Sequence, residues 1–234
     1  MASSRKRDQF RVVFQAVMRI VKYLESTISR GITYVQSGRG RPVVAEMNGD
    51  VLGSVRMSGF ADASLGDDPG SRAARVGTIV LVNGGFVCGK SSKLKRVQIS
   101  SAGAELHGLS ACAHELTAMR NQLTELGFQL GGASVLHGDN TASIDAARHP
   151  GKHRSALRHL ELHAFAIRDL IREEQVRLQW VDTKSNPADL LTKAVPSKAL
   201  FDKFAKLIMG AVDDTAKVFL LSLRSVLVKG RRRM

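Results

Sequence analysis

Apolar side chains recur along residues 10–28 at Phe10, Val13, Phe14, Val17, Ile20, Val21, Leu24 and Ile28, with Lys and Arg on the opposite face. That 3.6-residue period predicts an amphipathic helix. Gly31 stops it, and the Gly-rich stretch 38–42 marks a linker. Residues 51–63 read as a strand. The run "RVGTIVLVNGGFVCGKSS" then predicts two more strands joined at Asn-Gly-Gly, a hairpin turn, which gives an antiparallel meander to about residue 92.

A long helix is expected from Ala102 to Leu126, opened by Ser100-Ser101 and closed by Gly127, with an apolar stripe of Leu109, Cys112, Leu116, Met119, Leu123 and Leu126. "SVLHGDNTAS" (134–143) reads as a short strand that stops at Asp139-Asn140, before a helical stretch from Thr141 to Ala147. Ala156–Glu173 repeats the amphipathic pattern. "VRLQWVDT" (176–183) alternates Val176, Leu178 and Trp180 with polar residues, as a half-buried strand does. Asn186-Pro187 breaks the chain and Ala188 onward turns helical. Three strands, a helix, a strand, two helices, a strand and a helix make a mixed α/β sheet.

Against this pattern, certain acids are out of place. Extending the stripe of the long helix back by four residues reaches Glu105, a carboxylate in line with the core face. A Glu near a helix N-terminus is favoured by the helix dipole, but a solvating one belongs on the other face. Asp62 ends the first strand in "SGFADAS", Asp139 ends the fourth, and Asp189 opens the last helix. An isolated Asp-Asn pair reads first as a helix cap. In open α/β sheets, however, sites form beyond the carboxyl ends of neighbouring strands. If the first and fourth strands are adjacent and parallel, Asp62 and Asp139 meet there. Converging carboxylates need a compensating cation, and oxygen ligands without a His/Cys cluster point to Mg²⁺ or Mn²⁺.

Composition narrows the partners. With 35 Lys+Arg against 21 Asp+Glu, the 234-residue chain carries a formal charge of +14, and polyanions, nucleic acid foremost, are the natural partners of such a surface. Basic residues cluster at Arg5–Arg7, Lys90–Arg96, His149–His159 and Lys229–Arg233. The 44% apolar content excludes general disorder. Two cysteines, Cys88 and Cys112, with no CxxC argue against a disulfide scaffold or zinc site. The basic N-terminus lacks a signal-peptide core and no apolar run is long enough to span a bilayer. An intracellular protein, nuclear or cytoplasmic and not secreted, is expected. Composition and spacing alone leave other metal-dependent enzymes open.

Taken in order, these segments resemble the ribonuclease H domain of a copia-type retrotransposon Pol polyprotein. "GFADAS" resembles the family's first Asp motif, and "KSSKLKRVQISSAGAEL" its Lys-Ser to Ala-Glu segment, with Glu105 on the catalytic Glu. "HGDNTASI" resembles the Asp-Asn motif and "NPADLLTK" the closing Ala-Asp-x-Leu-Thr-Lys. Upstream, "AVMRIVKYLESTISRGITY" resembles the segment joining the reverse transcriptase to this domain. The likeness covers roughly residues 14–196. It implies a ribonuclease H-like mixed five-stranded sheet flanked by helices over 51–196, after a basic helix and linker (1–50) and before a helical extension with a basic tail (197–234). It also implies cleavage of the RNA strand of an RNA/DNA hybrid, with Asp62, Glu105, Asp139 and Asp189 binding two Mg²⁺. Lys90, Ser91, Lys93, Lys95, Arg96, Asn140, His153 and Arg154 are the expected nucleic-acid contacts, Asn140 doubling as a cap of the following helix. A reverse transcriptase encoded elsewhere is the implied protein partner.

The chain departs from the family in three places: Gly103 replaces a second Glu, Leu106 an aromatic, and the Trp of the third strand is missing near Cys88-Gly89. His153 and His159 fall in the family's His-rich segment, where either could shuttle protons or simply contact phosphate. "AVDD" (211–214) lies in the wrong order for a polymerase motif. A catalytically silent nucleic-acid-binding remnant, or a DNA-directed nuclease or integrase on the same fold, are the competing expectations.

Overall fold

A computed structural model describes residues 2–27, 30–34, 55–66, 70–95, 97, 98, 100–149 and 158–209. The chain divides into two compact units, Met1–Gly31 and Ile32–Met234. The first holds one helix, α1 (Ala2–Thr27). Its expected apolar stripe is exposed, with Phe10 at 72% and Leu24 at 59%, because a stripe needs a facing element to bury against and the described residues of this unit form only α1. The expected linker at 38–42 and Ile28 lie outside the described residues.

The second unit is built on five strands: β1 (Met57–Ser64), β2 (Arg75–Val82), β3 (Gly85–Lys93), β4 (Ser134–Gly138) and β5 (Val176–Trp180), in the order β3-β2-β1-β4-β5. β1–β2 and β2–β3 are antiparallel, while β1–β4 and β4–β5 are parallel. The β2–β3 turn forms because Asn83 (φ 48°) and Gly84 (φ 79°) both take positive φ, the requirement of a tight type I′ hairpin. The helices are α2 (Ser101–Glu125), α3 (Thr141–Arg148), α4 (Arg158–Arg172) and α5 (Lys198–Met209). This mixed five-stranded sheet with flanking helices is the architecture that the sequence predicts.

α2 packs on one face of the sheet, where Leu109, Cys112 and Leu116 are buried with Ala61, Val80 and Leu136. Burying each large side chain contributes roughly 1.5–3 kcal/mol. Gly59 permits this close approach, since a Cβ there would lie 2.6 Å from Cys112 Sγ. The other face carries Phe60, Ile79, Leu81 and Ala188, with Leu207 and Ile208 of α5 against them. Phe204 of α5 is fully buried, so the segment after residue 196 adds a packed helix to this unit.

Some expected details differ. Leu126 is 72% exposed, because it is the C-cap residue and has left the helical phase of the stripe. Trp180 is 51% exposed, being the last residue of the terminal strand, whereas Val176 and Leu178 are buried. The helix expected from Ala188 is a short 3-10 turn, Pro187–Leu191, and α5 begins seven residues later at Lys198. Ser100 caps α2 by accepting from the Gly103 amide, and Gly127 (φ 84°) ends it, both as expected.

Candidate active site

The sheet register brings the acids together. β1 and β4 run parallel with Phe60 opposite His137, so Asp62 and Asp139 fall two residues further along at the same end of the sheet. Along β1, Gly59 and Ala61 face α2, which turns Phe60 and Asp62 toward the Pro187–Leu191 turn. Gly77 pairs with Asp62 across the ladder. A Cβ at Gly77 would stand 2.8 Å from the Ala188 carbonyl and 2.9 Å from Leu191 Cβ and Thr192 Cγ2. The missing side chain therefore lets the turn lie directly on the sheet, with Asp189 beside Asp62.

That turn is fixed by buried polar groups. Asn186, wholly buried, accepts from the Ala188 amide at 3.2 Å and donates to the Ala61 carbonyl at 2.9 Å. From the edge strand, Ser91 Oγ donates to the Leu191 carbonyl at 2.6 Å. The hydroxyl expected to contact nucleic acid is thus engaged in holding the Asp189 segment. Lys90, Lys93 and Lys95 are exposed on or just after β3. Asn140 caps α3 by accepting from the Ser143 amide at 3.0 Å. Arg96, His153 and Arg154, and the side chain of His159, lie outside the described residues.

Carboxylate oxygens of Asp62, Asp139 and Asp189 all lie within 4.8 Å of one another. Asp62 is 1% exposed and Asp189 5%, while Asp139 is partly open. Glu105 enters from the first turns of α2, where the Ala63 backbone amide bonds its carboxyl. Burial first, then the charges of Asp62 and Asp139, push Glu105 up to about 9. Burial and Asp62 likewise raise Asp189 to about 6, although Lys193 works the other way. Each shift states the same physics: this much negative charge, out of water, lacks sufficient counter-charge.

Partial relief comes from residues that sequence reasoning quoted but gave no role. Thr192 Oγ1 donates to Asp62 Oδ2. Lys193 Nζ lies 3.0 Å from Asp189 Oδ1 and 3.7 Å from Asp62 Oδ1. Burial opposes the Lys193 charge, yet Asp62, Asp189 and Asp139 leave its pKa raised. On the open side, Thr183 Oγ1 donates to Asp139 Oδ2 at 2.8 Å, and Trp180 Nε1 to the Asp139 carbonyl at 3.0 Å. The only sequence signal for Thr192 and Lys193 was their place three and four residues after Asp189, within reach across one turn.

The retrovirus-related Pol polyprotein from transposon TNT 1-94 of Nicotiana tabacum is 25% identical over 183 residues, covering 78% of this chain and 12% of that polyprotein. The Pol polyprotein from transposon RE2 of Arabidopsis thaliana is 27% identical over 193 residues, 82% of this chain and 12% of its own. The chain is similar to a part of these retrotransposon Pol polyproteins. It spans about an eighth of the length of these two relatives. No family model matches it. Among solved structures, the ribonuclease H1 of Halobacterium salinarum is 18% identical, with a TM-score of 0.43 over 58% of this chain and 94% of that one. No helix among the described residues is long and apolar enough to cross a membrane.

Proposed function

We propose that the chain is a metal-dependent endonuclease that hydrolyses the RNA strand of RNA/DNA hybrids, derived from a copia-type retrotransposon Pol polyprotein. The observation that carries this reading is the convergence of Asp62, Asp139 and Asp189 within 4.8 Å. Glu105 stands in their field.

The residues present fit a divalent ion. Their donors are all carboxylate oxygens, which suit hard cations such as Mg²⁺ or Mn²⁺. Asp189 Oδ1 is buried and has the Lys193 ammonium 3.0 Å away, so the oxygen already faces a cation. Asp62, Glu105, Asp139 and Asp189 would hold the metal. When bound, Mg²⁺ supplies an activated water and neutralises charge at the leaving oxygen of a phosphodiester.

The chain's own residues position and screen. Thr183 fixes one oxygen of Asp139 and leaves the other for a ligand. Asn186 and Ser91 hold the turn that presents Asp189. Lys90, Lys93 and Lys95, with Arg96, His153 and Arg154 of the same basic segments, provide cations for the phosphate backbone. Preference for a hybrid requires contacts to 2′-hydroxyls on one strand.

The test is cleavage of a labelled RNA/DNA hybrid in Mg²⁺ or Mn²⁺, beside RNA duplex and DNA duplex, with Asp139→Asn as control. Hybrid-selective cutting lost in the variant supports the proposal, and cutting of DNA duplex instead would favour an integrase-like nuclease. A silent nucleic-acid-binding remnant is the second reading, favoured by Lys193 already sitting against two of the carboxylates. It expects salt-sensitive binding without cutting.

A further inference from the structure

We propose that Lys193 is a built-in counter-cation of the carboxylate site. Its ammonium holds Asp62 and Asp189 together in the metal-free protein, and it gives up that place when a divalent ion binds. This rests on reading the carboxylate cluster as a metal site.

The position of the ammonium is built rather than incidental. Lys193 follows Asp189 by four residues, and its backbone amide donates to the Asp189 carbonyl at 3.1 Å. The turn that carries both is pinned by Asn186 to β1 and by Ser91 to β3. Backbone geometry therefore delivers the stem of Lys193 to the mouth of the cluster. From there Nζ reaches Asp189 Oδ1 at 3.0 Å and Asp62 Oδ1 at 3.7 Å. These two carboxylates are the most enclosed of the three that converge.

A single ammonium is an incomplete substitute for a divalent ion. It supplies one charge to four acids, and it pairs with Asp62 and Asp189. Asp139 is engaged instead by Thr183, and Glu105 by the Ala63 amide. The Lys193 side chain is 40% exposed, so a route into water is open. Its flexible four-carbon stem lets the charge swing out without moving the turn. An arginine, with a planar fork suited to bidentate pairing, would leave less readily.

Two cations cannot share the same carboxylate oxygens without repulsion. Charges of +1 and +2 about 4 Å apart, even at the dielectric of water, lower affinity by about tenfold or more. Lys193 would thus weaken metal binding while keeping the metal-free site from repelling itself apart. Exchange of one cation for the other makes binding readily reversible.

Two measurements test this on the full chain, stripped with EDTA. Mg²⁺ binding is measured by calorimetry for the wild type, Lys193→Gln and Lys193→Arg. Lys193→Gln should bind Mg²⁺ about tenfold more tightly and show a larger Mg²⁺-induced rise in Tm, while Lys193→Arg should not gain affinity. The wild type alone gives a second readout, acetylation of Lys193 followed by mass spectrometry, which should speed up on adding Mg²⁺. Equal or weaker binding by Lys193→Gln, or acetylation that Mg²⁺ leaves unchanged or slows, overturns the proposal alone. Failure of Mg²⁺ to bind the wild type and both variants overturns the metal site with it.

Discussion

Glu105→Gln should stabilise the metal-free protein at pH 8 and change little at pH 4. In the folded chain, burial and the charges of Asp62 and Asp139 hold the Glu105 carboxyl up at about 9, whereas in the unfolded chain it ionises near its ordinary value of about 4.3. Between those pH values the folded state keeps a proton that the unfolded state has released. Stability is therefore fully present below about pH 4 and falls as pH rises, by about 1.4 kcal/mol per unit, until the folded group also ionises. From pH 5 to 8 that slope integrates to about 4 kcal/mol as an upper figure. Coupling to Asp189, itself raised to about 6 with the same sign, spreads the loss between the two groups, and about 3 kcal/mol is the working value for Glu105. Gln keeps the size and never ionises, so its stability should lack this component of the slope. Urea unfolding in EDTA at pH 5, 6.5 and 8 measures it directly. In saturating Mg²⁺ the order should reverse, since the wild type gains more from ligand binding than a variant with one carboxylate fewer. Parallel pH curves for wild type and variant in EDTA would refute the assignment of Glu105 as a buried carboxyl strained by its neighbours.

Other perturbations probe the scaffold around the acids. Gly77→Ala places a Cβ within 2.9 Å of three groups of the Asp189 turn, and should cost about 1–3 kcal/mol by overpacking, read by urea unfolding, with a fall in Mg²⁺ affinity as the turn lifts. Asn186→Ala removes two buried hydrogen bonds and strands the Ala61 carbonyl, a loss of about 1–3 kcal/mol that a thermal melt will show. Thr183→Val frees Asp139 Oδ2 from its hydroxyl donor. A supporting contact of this kind is worth about 10–100-fold in metal affinity or activity, so Mg²⁺ titration should weaken while the Tm in EDTA barely moves.

The fold was legible wherever a local rule and the global sheet agree. Asn83-Gly84 demands a tight hairpin, Ser100 and Gly127 bracket a long helix, and Asp139 follows the end of a strand. Asp62, expected to end the first strand, instead sits two residues inside β1, which runs on to Ser64. Glu105 stood out because a carboxylate in line with a leucine stripe is costly unless something compensates it. What surrounds the acids was less legible, since those contacts depend on long-range pairing. Ser91 is 100 residues from the carbonyl it bonds, and its sequence neighbours are lysines that suggest an outward surface. Thr192 and Lys193 look like the polar end of a helix, but a 3-10 turn aims them back at Asp62. Leu126 and Trp180 continue apolar periods past the point where the elements end, and period alone does not mark that point.

The central claim is that Asp62, Glu105, Asp139 and Asp189 form one metal centre. The most direct test is a crystal soaked in Mn²⁺ and examined by anomalous diffraction. The account predicts a peak about 2.0–2.2 Å from carboxylate oxygens of Asp62, Asp139 and Asp189, with Lys193 Nζ withdrawn from at least one of its partners. A cluster with no anomalous peak at saturating Mn²⁺, and Lys193 still against Asp62 and Asp189, would contradict it.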